Sequence, residues 1–406
     1  MAGEVRISRR DLGRIVSGGI AVLAGTSRAG TRVLAQGTAR RAEGSAIPVT
    51  FRLSSNENNY GLAPAAVEAL KSGRSYANRY GAESVGKLTE ALAKLHGVPR
   101  DHILLTPGSG EILRAVTMAF TGPDKKLLAA SPTFEAPERT ARATNAAVQA
   151  VPVAPDGTHD LRAMAAAAAG TGLAFICNPN NPTGGVNSGA AVREFLTACR
   201  AAAPDAYVLI DEAYYDYATD TAYETAVPLA QADKRVMVSR TFSKIHGMAG
   251  LRVGYAIGHP DTLARVREKT SAGTLSSVSA GAALASLEDP AHLKRQRELN
   301  AEARTFTRKA FERAGYTVLP SEGNFVMVDV RRESTLFQDL CRQSGIAIAR
   351  PFPPLTNYAR ITIGTVEEMK KVMAIMLPLL SALAPKTTLA PAGPGGFLLD
   401  DDLHGC

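Results

Sequence analysis

Three short apolar runs in the middle of the chain constrain its fold more than any other feature. They cover residues 173–177, 207–210 and 235–239, and polar residues follow each of them. Helical patterns at residues 161–169 and 192–203 alternate with these runs. The alternation predicts an α/β fold, with a mostly parallel sheet between two layers of helices. Because parallel strands place their ligands at their carboxyl ends, the residues after these runs are candidates for a functional site.

Four polar residues stand out near these strand ends. In chain order they are Asn181, Asp211, Lys244 and Arg252, and the first three each follow or end a predicted buried strand. A lysine held in such a loop is partly desolvated, which lowers the pKa of its amine and makes it a usable nucleophile toward a carbonyl. Most lysines are surface charges. The order of the four residues, rather than Lys244 alone, therefore indicates an active site.

These residues belong to longer motifs. Residues 178–184 read NPNNPTG, residues 211–214 read DEAY, residues 243–244 read SK and precede GLRVGY at 250–255, and residues 360–365 read RITIGT. In this order, and from about residue 50 to 380, the chain resembles the fold type I pyridoxal-phosphate-dependent aminotransferases, with the histidinol-phosphate aminotransferase branch as the nearest likeness. The resemblance implies a class I/II transaminase with a large cofactor-binding domain and a smaller α+β C-terminal domain.

The resemblance also implies a role for each motif residue. Lys244 would bind the cofactor, pyridoxal 5'-phosphate, covalently and then act as general base at the substrate α-carbon. Asp211 would keep the pyridine nitrogen protonated, because a nearby carboxylate favours the cationic ring. Asn181 and Tyr214 would donate to the phenolic oxygen of the cofactor. The phosphate ligands implied by the resemblance are Ser109, Gly110, Ser243 and Arg252.

Further residues match the family's ring, substrate and subunit contacts. Phe134 would stack on the pyridine ring, with core packing as the alternative. Arg360 would grip the α-carboxylate of an amino acid or 2-oxo acid substrate through its forked guanidinium. Asn181 and Tyr60 would add substrate contacts, although an ordinary surface loop is the alternative for the segment around Tyr60. Tyr80 matches a tyrosine that reaches the neighbouring subunit's site, which implies a homodimer.

The N-terminal arm departs from the family pattern at one position. The usual arm reads Asn-Glu-Asn-Pro-Tyr-Gly, whereas Asn59 replaces the proline in this chain. Because proline restricts the backbone, the replacement predicts a less rigid arm.

The same residues also serve other chemistry. Pyridoxal-phosphate-dependent oxidases, eliminases and cyclases use this fold with the same set of residues, and they are the alternative to transamination. A protein that keeps the fold only to bind a ligand is a third hypothesis, which the intact Lys244 and Asp211 disfavour. The sequence shows no distinct second basic cluster for a substrate phosphate, and so histidinol phosphate is not the expected substrate.

The first 35 residues predict export. Residues 8–14 read SRRDLGR, a mild apolar run covers residues 15–25, and a small-residue cleavage site ends at Ala35. This pattern resembles a twin-arginine signal peptide. That route carries folded proteins, which suits an enzyme that acquires its cofactor in the cytoplasm. It implies a periplasmic or secreted location, with a basic disordered N-terminus as the alternative.

Length and composition complete the predicted layout. A chain of 406 residues is longer than a single hydrophobic core usually supports, and so we expect two domains. We predict a linker and N-terminal arm at residues 36–75, a large domain at 76–272, a small domain at 273–384 and a disordered tail at 385–406. Residues 1–44 hold eight arginines and three acidic residues, a net charge of +5. Since the whole chain carries +8, the remainder carries a net charge of only +3, which argues against a nucleic-acid partner. No membrane span and no metal site are predicted.

Overall fold

The computed structural model describes residues 48–271 and 275–383. The predicted signal peptide at residues 1–35 and the predicted tail at residues 385–406 lie outside this part of the chain. Among the described residues, no helix combines the length and apolar character that a bilayer crossing requires. The same residues contain no cluster of three or more histidine, cysteine or acidic side chains arranged to hold a metal ion.

Eleven strands are present in the part of the chain that the structure describes. They are β1 (Phe51–Leu53), β2 (Ile103–Thr106), β3 (Lys126–Ser131), β4 (Val148–Pro152), β5 (Thr171–Cys177), β6 (Tyr207–Asp211), β7 (Val236–Thr241), β8 (Gly254–Ile257), β9 (Phe325–Asp329), β10 (Ile346–Ile348) and β11 (Tyr358–Thr362).

Seven of these strands form one mixed sheet in the order β2-β8-β7-β6-β5-β3-β4. The neighbours from β7 to β4 pair in parallel, whereas β8 runs antiparallel to both β7 and β2. The predicted, mostly parallel sheet is therefore confirmed. Every residue of β5 and β7 is buried, as expected for strands covered by helices on both faces.

Twelve α-helices surround the strands in the described ranges. They are α1 (Pro64–Gly73), α2 (Ala82–His96), α3 (Ser109–Phe120), α4 (Ala136–Ala143), α5 (Leu161–Ala166), α6 (Gly189–Ala202), α7 (Val227–Ala232), α8 (Pro260–Arg267), α9 (Ser277–Leu287), α10 (Pro290–Arg313), α11 (Ser334–Gln343) and α12 (Val366–Leu383).

The two faces of the large sheet support two separate cores, because the side chains along β5 point alternately to one face and the other. Leu173 and Phe175 point to one core, where they meet Ile112 of α3. Ala174 and Ile176 point to the other, which contains side chains of α2, α5, α6 and α9. Successive side chains of a strand alternate between faces, so an uninterrupted apolar run can fill both cores at once.

A third core forms around the strands near the C-terminus. Strands β9 and β11 pair antiparallel, while β10 pairs in parallel with β1. Val328, Phe337 and Met376 are fully buried there, together with Leu53 from the N-terminal arm. The prediction did not include β1, because a three-residue strand whose partner lies near the other end of the chain leaves no local pattern.

Strand β8 begins at Gly254, two residues after Arg252. Arg252 has a left-handed backbone conformation, with φ 55° and ψ 63°. Such a residue cannot continue an extended strand. The strand therefore starts only after the turn that places the Arg252 side chain.

Gly254 lies against the turn that opens α3. A Cβ atom at this position would lie 2.5 Å from the carbonyl carbon of Gly108 and 2.8 Å from the Cα atom of Ser109. Both are backbone atoms, which cannot move aside without shifting the start of the helix. Close backbone approach therefore requires glycine at Gly254.

We expect Gly254→Ala to lower the free energy of unfolding by about 1–3 kcal/mol, because the added methyl overpacks two backbone segments. Gly250→Ala is the matched control, since a Cβ atom there meets no heavy atom within 4 Å. Urea denaturation of both variants measures the difference. Equal stability of the two variants would contradict the close approach of β8 to the start of α3.

Candidate active site

A cavity of about 350 Å³ opens where β5, β6 and β7 end. Seventeen residues line it, and ten of them are residues that the sequence singled out. These ten are Ser109, Gly110, Phe134, Asn181, Asp211, Tyr214, Ser243, Lys244, Arg252 and Arg360. The carboxyl ends of the parallel strands β5, β6 and β7 supply Asn181, Asp211 and Lys244. Ser109 at the start of α3 and Arg360 on β11 come to the same cavity from outside these three strands, although they lie 251 positions apart.

The Lys244 amine lies inside this cavity. Its Nζ donates to the backbone carbonyl of Asn56 at 3.1 Å and lies 5.4 Å from the ring centroid of Tyr214. Burial and, to a smaller extent, the positive charge of Arg360 together lower the pKa of Lys244 to about 8, while Asp211 acts in the opposite sense. An amine with this pKa loses its proton readily near neutral pH and can serve as a nucleophile or a base.

The Asp211 carboxylate is almost completely buried. Only 3% of the residue is exposed, and its Oδ1 accepts a hydrogen bond from the Ser239 hydroxyl at 2.7 Å. Burial raises the pKa of Asp211 to about 6, although the Ser239 hydrogen bond and the charge of Lys244 oppose this shift. A buried carboxylate with so little compensation favours a cationic ligand atom beside it.

An anion cradle lies at the start of α3. Gly108 has φ 83°, and its carbonyl precedes a helix whose first backbone N–H groups have no helical partners. The Arg252 guanidinium donates to Ser243 Oγ at 3.3 Å and to the carbonyl of Ala249 at 2.9 Å. It forms no ion pair with an acidic side chain of the described residues. The N-terminus of α3, the serine hydroxyls beside it and the Arg252 guanidinium together suit a phosphate group.

Arg360 is a second buried cation in the cavity wall. Only 7% of it is exposed; its Nη1 donates to Asn181 Oδ1 at 2.6 Å and its Nη2 to the carbonyl of Ser54 at 2.7 Å. Its Nε is buried and has no hydrogen-bond partner. Burial lowers the pKa of Arg360 to about 10. A fixed guanidinium without an acidic partner among the described residues suits a carboxylate supplied by a ligand.

The Tyr214 hydroxyl is held by two amides. Asn56 Nδ2 and Asn181 Nδ2 lie 3.0 Å and 3.3 Å from it, and both donate to the phenolic oxygen. Burial raises the pKa of Tyr214, so the phenol stays protonated. Because both amides donate, the Tyr214 proton is left to point toward another acceptor in the cavity.

Sequence reasoning missed Asn56, Cys177 and Thr241, which also line the cavity. Asn56 is 1% exposed and has φ 53°. Two local signals existed: asparagine is enriched among non-glycine residues with positive φ, and Asn56 opens the arm segment that resembles the family pattern. Neither assigned it a contact in the cavity. Its contacts with Lys244 and Tyr214 span more than 150 positions of sequence and leave no periodic pattern.

Tyr60 and Tyr80 lie outside this cavity. The Tyr60 hydroxyl accepts a hydrogen bond from the Val366 N–H at the start of α12, at 3.2 Å. Beside it, Asn59 Nδ2 donates to Glu368 Oε2 at 2.9 Å, so side-chain hydrogen bonds tie the arm to α12 where the family pattern has a proline. Tyr80 is 96% exposed on this chain. The substrate role of Tyr60 and the partner-site role of Tyr80 stay predictions.

A second cavity of about 260 Å³ adjoins the first and shares Phe134, Asn181 and Arg360 with it. Arg139 and Arg350 line this second cavity, which we name the distal cavity. No basic cluster was evident from the sequence, because these two arginines lie far apart along the chain. Arg350 is already occupied: its Nη2 contacts Glu135 Oε1 at 2.5 Å, and its Nη1 donates to the Pro351 carbonyl at 2.8 Å. Phe352 lies beneath the guanidinium, with 4.6 Å between the ring centroid and Arg350 Cζ.

The first cavity has the features that pyridoxal phosphate requires. Lys244 supplies an amine of lowered pKa for its aldehyde, and Asp211 supplies a buried carboxylate for its ring nitrogen. The cradle around Arg252 supplies donors for its phosphate. Within the described chain, none of the three groups forms an ion pair with an oppositely charged side chain. The residues therefore fit this cofactor.

Comparison with known proteins agrees with this geometry. The family model described as aminotransferase class I and II matches residues 49–375. A histidinol-phosphate aminotransferase of Moorella thermoacetica is 37% identical over 321 residues, which are 78% of this chain and 81% of that protein. An aromatic amino acid aminotransferase of Nocardia farcinica is 36% identical over 325 residues, which are 79% of this chain and 89% of that protein.

A solved structure shows the same fold. The histidinol-phosphate aminotransferase of Sinorhizobium meliloti, in complex with pyridoxal-5'-phosphate, superposes with a TM-score of 0.77 at 26% sequence identity. The match covers 83% of this chain and 92% of that one. The predicted fold class, an α/β fold of the type I pyridoxal-phosphate enzymes, is confirmed.

Proposed function

The chain belongs to the aminotransferase class I and II family, whose members depend on pyridoxal phosphate, and we propose that the first cavity is where it transfers an amino group between an amino acid and a 2-oxo acid. The observation that carries this proposal is the Lys244 amine. It has a pKa of about 8 and shares one cavity with the buried Asp211 carboxylate and the Arg252 cradle. Those three groups are complementary to three different parts of one cofactor.

The cofactor would be held at several points. Asp211 would pair with the ring nitrogen, Phe134 would cover a ring face, and Tyr214 would donate its proton to the phenolic oxygen. The phosphate would be bound by Ser109, Gly110, Ser243 and Arg252. When bound, this cofactor withdraws electrons from the substrate α-carbon and so makes the α-hydrogen acidic.

The side chains would then orient the substrate and move its proton. Arg360 would bind the α-carboxylate, because its guanidinium is fixed by Asn181 and Ser54 and has no acidic partner among the described residues. Lys244, whose pKa lies near the physiological range, would accept the α-hydrogen as a proton and hold it at Nζ until it is given back. Arg360 is buried and the Lys244 amine is largely desolvated, which strengthens their electrostatic interactions with the substrate.

We further propose that the active unit is a homodimer in which Tyr80 reaches the partner's phosphate cradle. Tyr80 is a large aromatic side chain that is 96% exposed on the single chain. It lies in a mostly exposed segment, residues 74–81, just before α2. An exposed aromatic side chain is a suitable contact for a subunit interface, where tyrosine is enriched.

Two single variants and their mixture test the chemistry and the dimer together. Lys244→Ala should abolish transamination, and Tyr80→Ala should weaken cofactor binding. When the two variants are co-expressed, about a quarter of wild-type activity should return, because hybrid dimers hold one intact site. The assay measures 2-oxo acid formed from a panel of amino acids.

The melting temperature of Lys244→Ala controls for folding and should stay close to that of the wild type. Full transamination by Lys244→Ala alone would remove the catalytic proposal. A mixture no more active than Tyr80→Ala alone would instead leave the chemistry standing and overturn the shared site.

We propose that residues 1–35 export the folded protein by the twin-arginine route. The support is the sequence SRRDLGR at residues 8–14, followed by a mild apolar run. The location would then be periplasmic or secreted.

Replacing both Arg9 and Arg10 by lysine should keep the precursor in the cytoplasm, because the export machinery recognises the arginine pair. Cell fractionation with an antibody against the protein measures the distribution. Unchanged export of the double variant would show that residues 1–35 are not this kind of signal.

We propose that the amino donor has an uncharged, preferably aromatic, side chain. The curated relatives include a histidinol-phosphate aminotransferase and an aromatic amino acid aminotransferase. In the distal cavity Glu135 and Pro351 already engage Arg350, so a phosphate ester in place of the α-carboxylate would have to displace Glu135 to bind Arg350. Phe134 and Phe352 offer apolar ring surface in the same cavity.

Glu135→Gln should raise kcat/KM for histidinol phosphate relative to phenylalanine by about three- to tenfold, because it frees Arg350 and removes a repulsive charge. Glu138→Gln is the matched control. Glu138 is also paired with an arginine, Arg142, and its side chain is 39% exposed against 40% for Glu135. The ratio of the two kcat/KM values is the measured quantity. A wild-type preference for histidinol phosphate, unchanged by Glu135→Gln, would contradict this substrate class.

A further inference from the structure

Asn56 is a buried residue of the N-terminal arm that contacts both β11 and the proposed catalytic groups. It is 1% exposed and follows β1 by three positions. Its backbone N–H donates to Thr362 Oγ1 at 2.9 Å, and its Oδ1 accepts from the same hydroxyl at 3.0 Å. Thr362 ends β11, the strand that carries Arg360. Asn56 is therefore attached to the strand that positions the proposed carboxylate ligand.

The other polar groups of Asn56 contact the catalytic side chains themselves. Its carbonyl oxygen accepts from Lys244 Nζ at 3.1 Å and from Asn324 Nδ2 at 3.1 Å. Its Nδ2 donates to the Tyr214 hydroxyl at 3.0 Å. No other residue in the described chain bonds to both Lys244 and Tyr214.

The backbone of Asn56 is held in a conformation that costs energy for most residues. With φ 53° it lies in the left-handed region, which asparagine enters more easily than other non-glycine residues. Strained residues persist where surrounding contacts determine them, and they are frequent at active sites. In this conformation the carbonyl of Asn56 reaches Lys244 while its amide reaches Tyr214.

We propose that Asn56 is a positioning residue that fixes the free Lys244 amine and the Tyr214 hydroxyl at the same time. Lys244 has two tasks, covalent attachment and proton transfer, and its amine needs a defined acceptor whenever it is not attached. The Asn56 carbonyl is that acceptor. The Asn56 amide occupies the Tyr214 oxygen, so that the Tyr214 proton is donated into the cavity. This inference rests on the proposed function, because it assigns Asn56 to the same reaction.

A purely structural role for Asn56 predicts a different result. Its bonds to Thr362 and Asn324 would then stabilise the arm, and their loss would lower the melting temperature alone. A positioning role also changes the titration of the lysine–cofactor pair, since Asn56 contacts the groups that control it. The pH midpoint of the bound cofactor's absorbance change is therefore the readout that separates the two roles.

Two substitutions at Asn56 probe its side chain in the holoenzyme. Asn56→Asp keeps the size and the Oδ1 acceptor but places a carboxylate near Lys244 and Tyr214. It should move the absorbance midpoint to higher pH by about one unit, because a nearby negative charge favours the protonated form. Asn56→Gly keeps the left-handed backbone and the carbonyl acceptor. It should leave the midpoint nearer to that of the wild type but lower kcat about tenfold with a smaller change in KM, since the Tyr214 hydroxyl loses a donor.

Asn145→Gly is the matched control for the backbone. Asn145 has φ 57°, is exposed and lies outside both cavities. Its variant should match the wild type in absorbance midpoint and kcat.

A wild-type midpoint in Asn56→Asp, together with a wild-type kcat in Asn56→Gly, would overturn the proposal even if both variants melt at lower temperature. If Asn56→Gly does not fold, the midpoint of Asn56→Asp decides alone. A wild-type protein without a cofactor band or transamination would instead refute the proposed function.

Discussion

Desolvation of charge in a single cavity is the constraint on which the site depends. Burial shifts the pKa of Lys244 down to about 8, that of Asp211 up to about 6 and that of Arg360 down to about 10. Each shift favours the neutral form, because water can no longer solvate the charged one. A cofactor with a cationic ring nitrogen and an aldehyde, and a substrate with a carboxylate, supply the partners that water would otherwise provide.

The fold can hold these groups in place because its stability lies elsewhere. The strands that end at the cavity are buried on both faces, and their alternating side chains fill two apolar cores. A third core ties β1 of the N-terminal arm to β10 near the C-terminus. Hydrophobic burial of this kind is the main favourable contribution to folding, and it offsets the cost of unsatisfied charge at the strand ends.

The cavity wall is built from segments near both ends of the described chain. The arm contributes Asn56 and the Ser54 carbonyl, while β11 contributes Arg360. The distal cavity adds Glu135 and Arg350 from two further segments. The groups proposed to act on the cofactor thus come from the central sheet, whereas those proposed to orient the substrate come largely from its surroundings.

The sequence alone determined the strands that carry the site and the order of the residues at their ends. Buried strands are continuous apolar runs, and Asp211 and Lys244 end or follow such runs, so local pattern was sufficient. Only the tertiary structure decided that β1 pairs with β10, that Asn56 meets Lys244 and Tyr214, and that Glu135 occupies Arg350. Each of these contacts joins residues far apart along the chain, where no periodic pattern records the pairing and only the packed cores bring the two partners together.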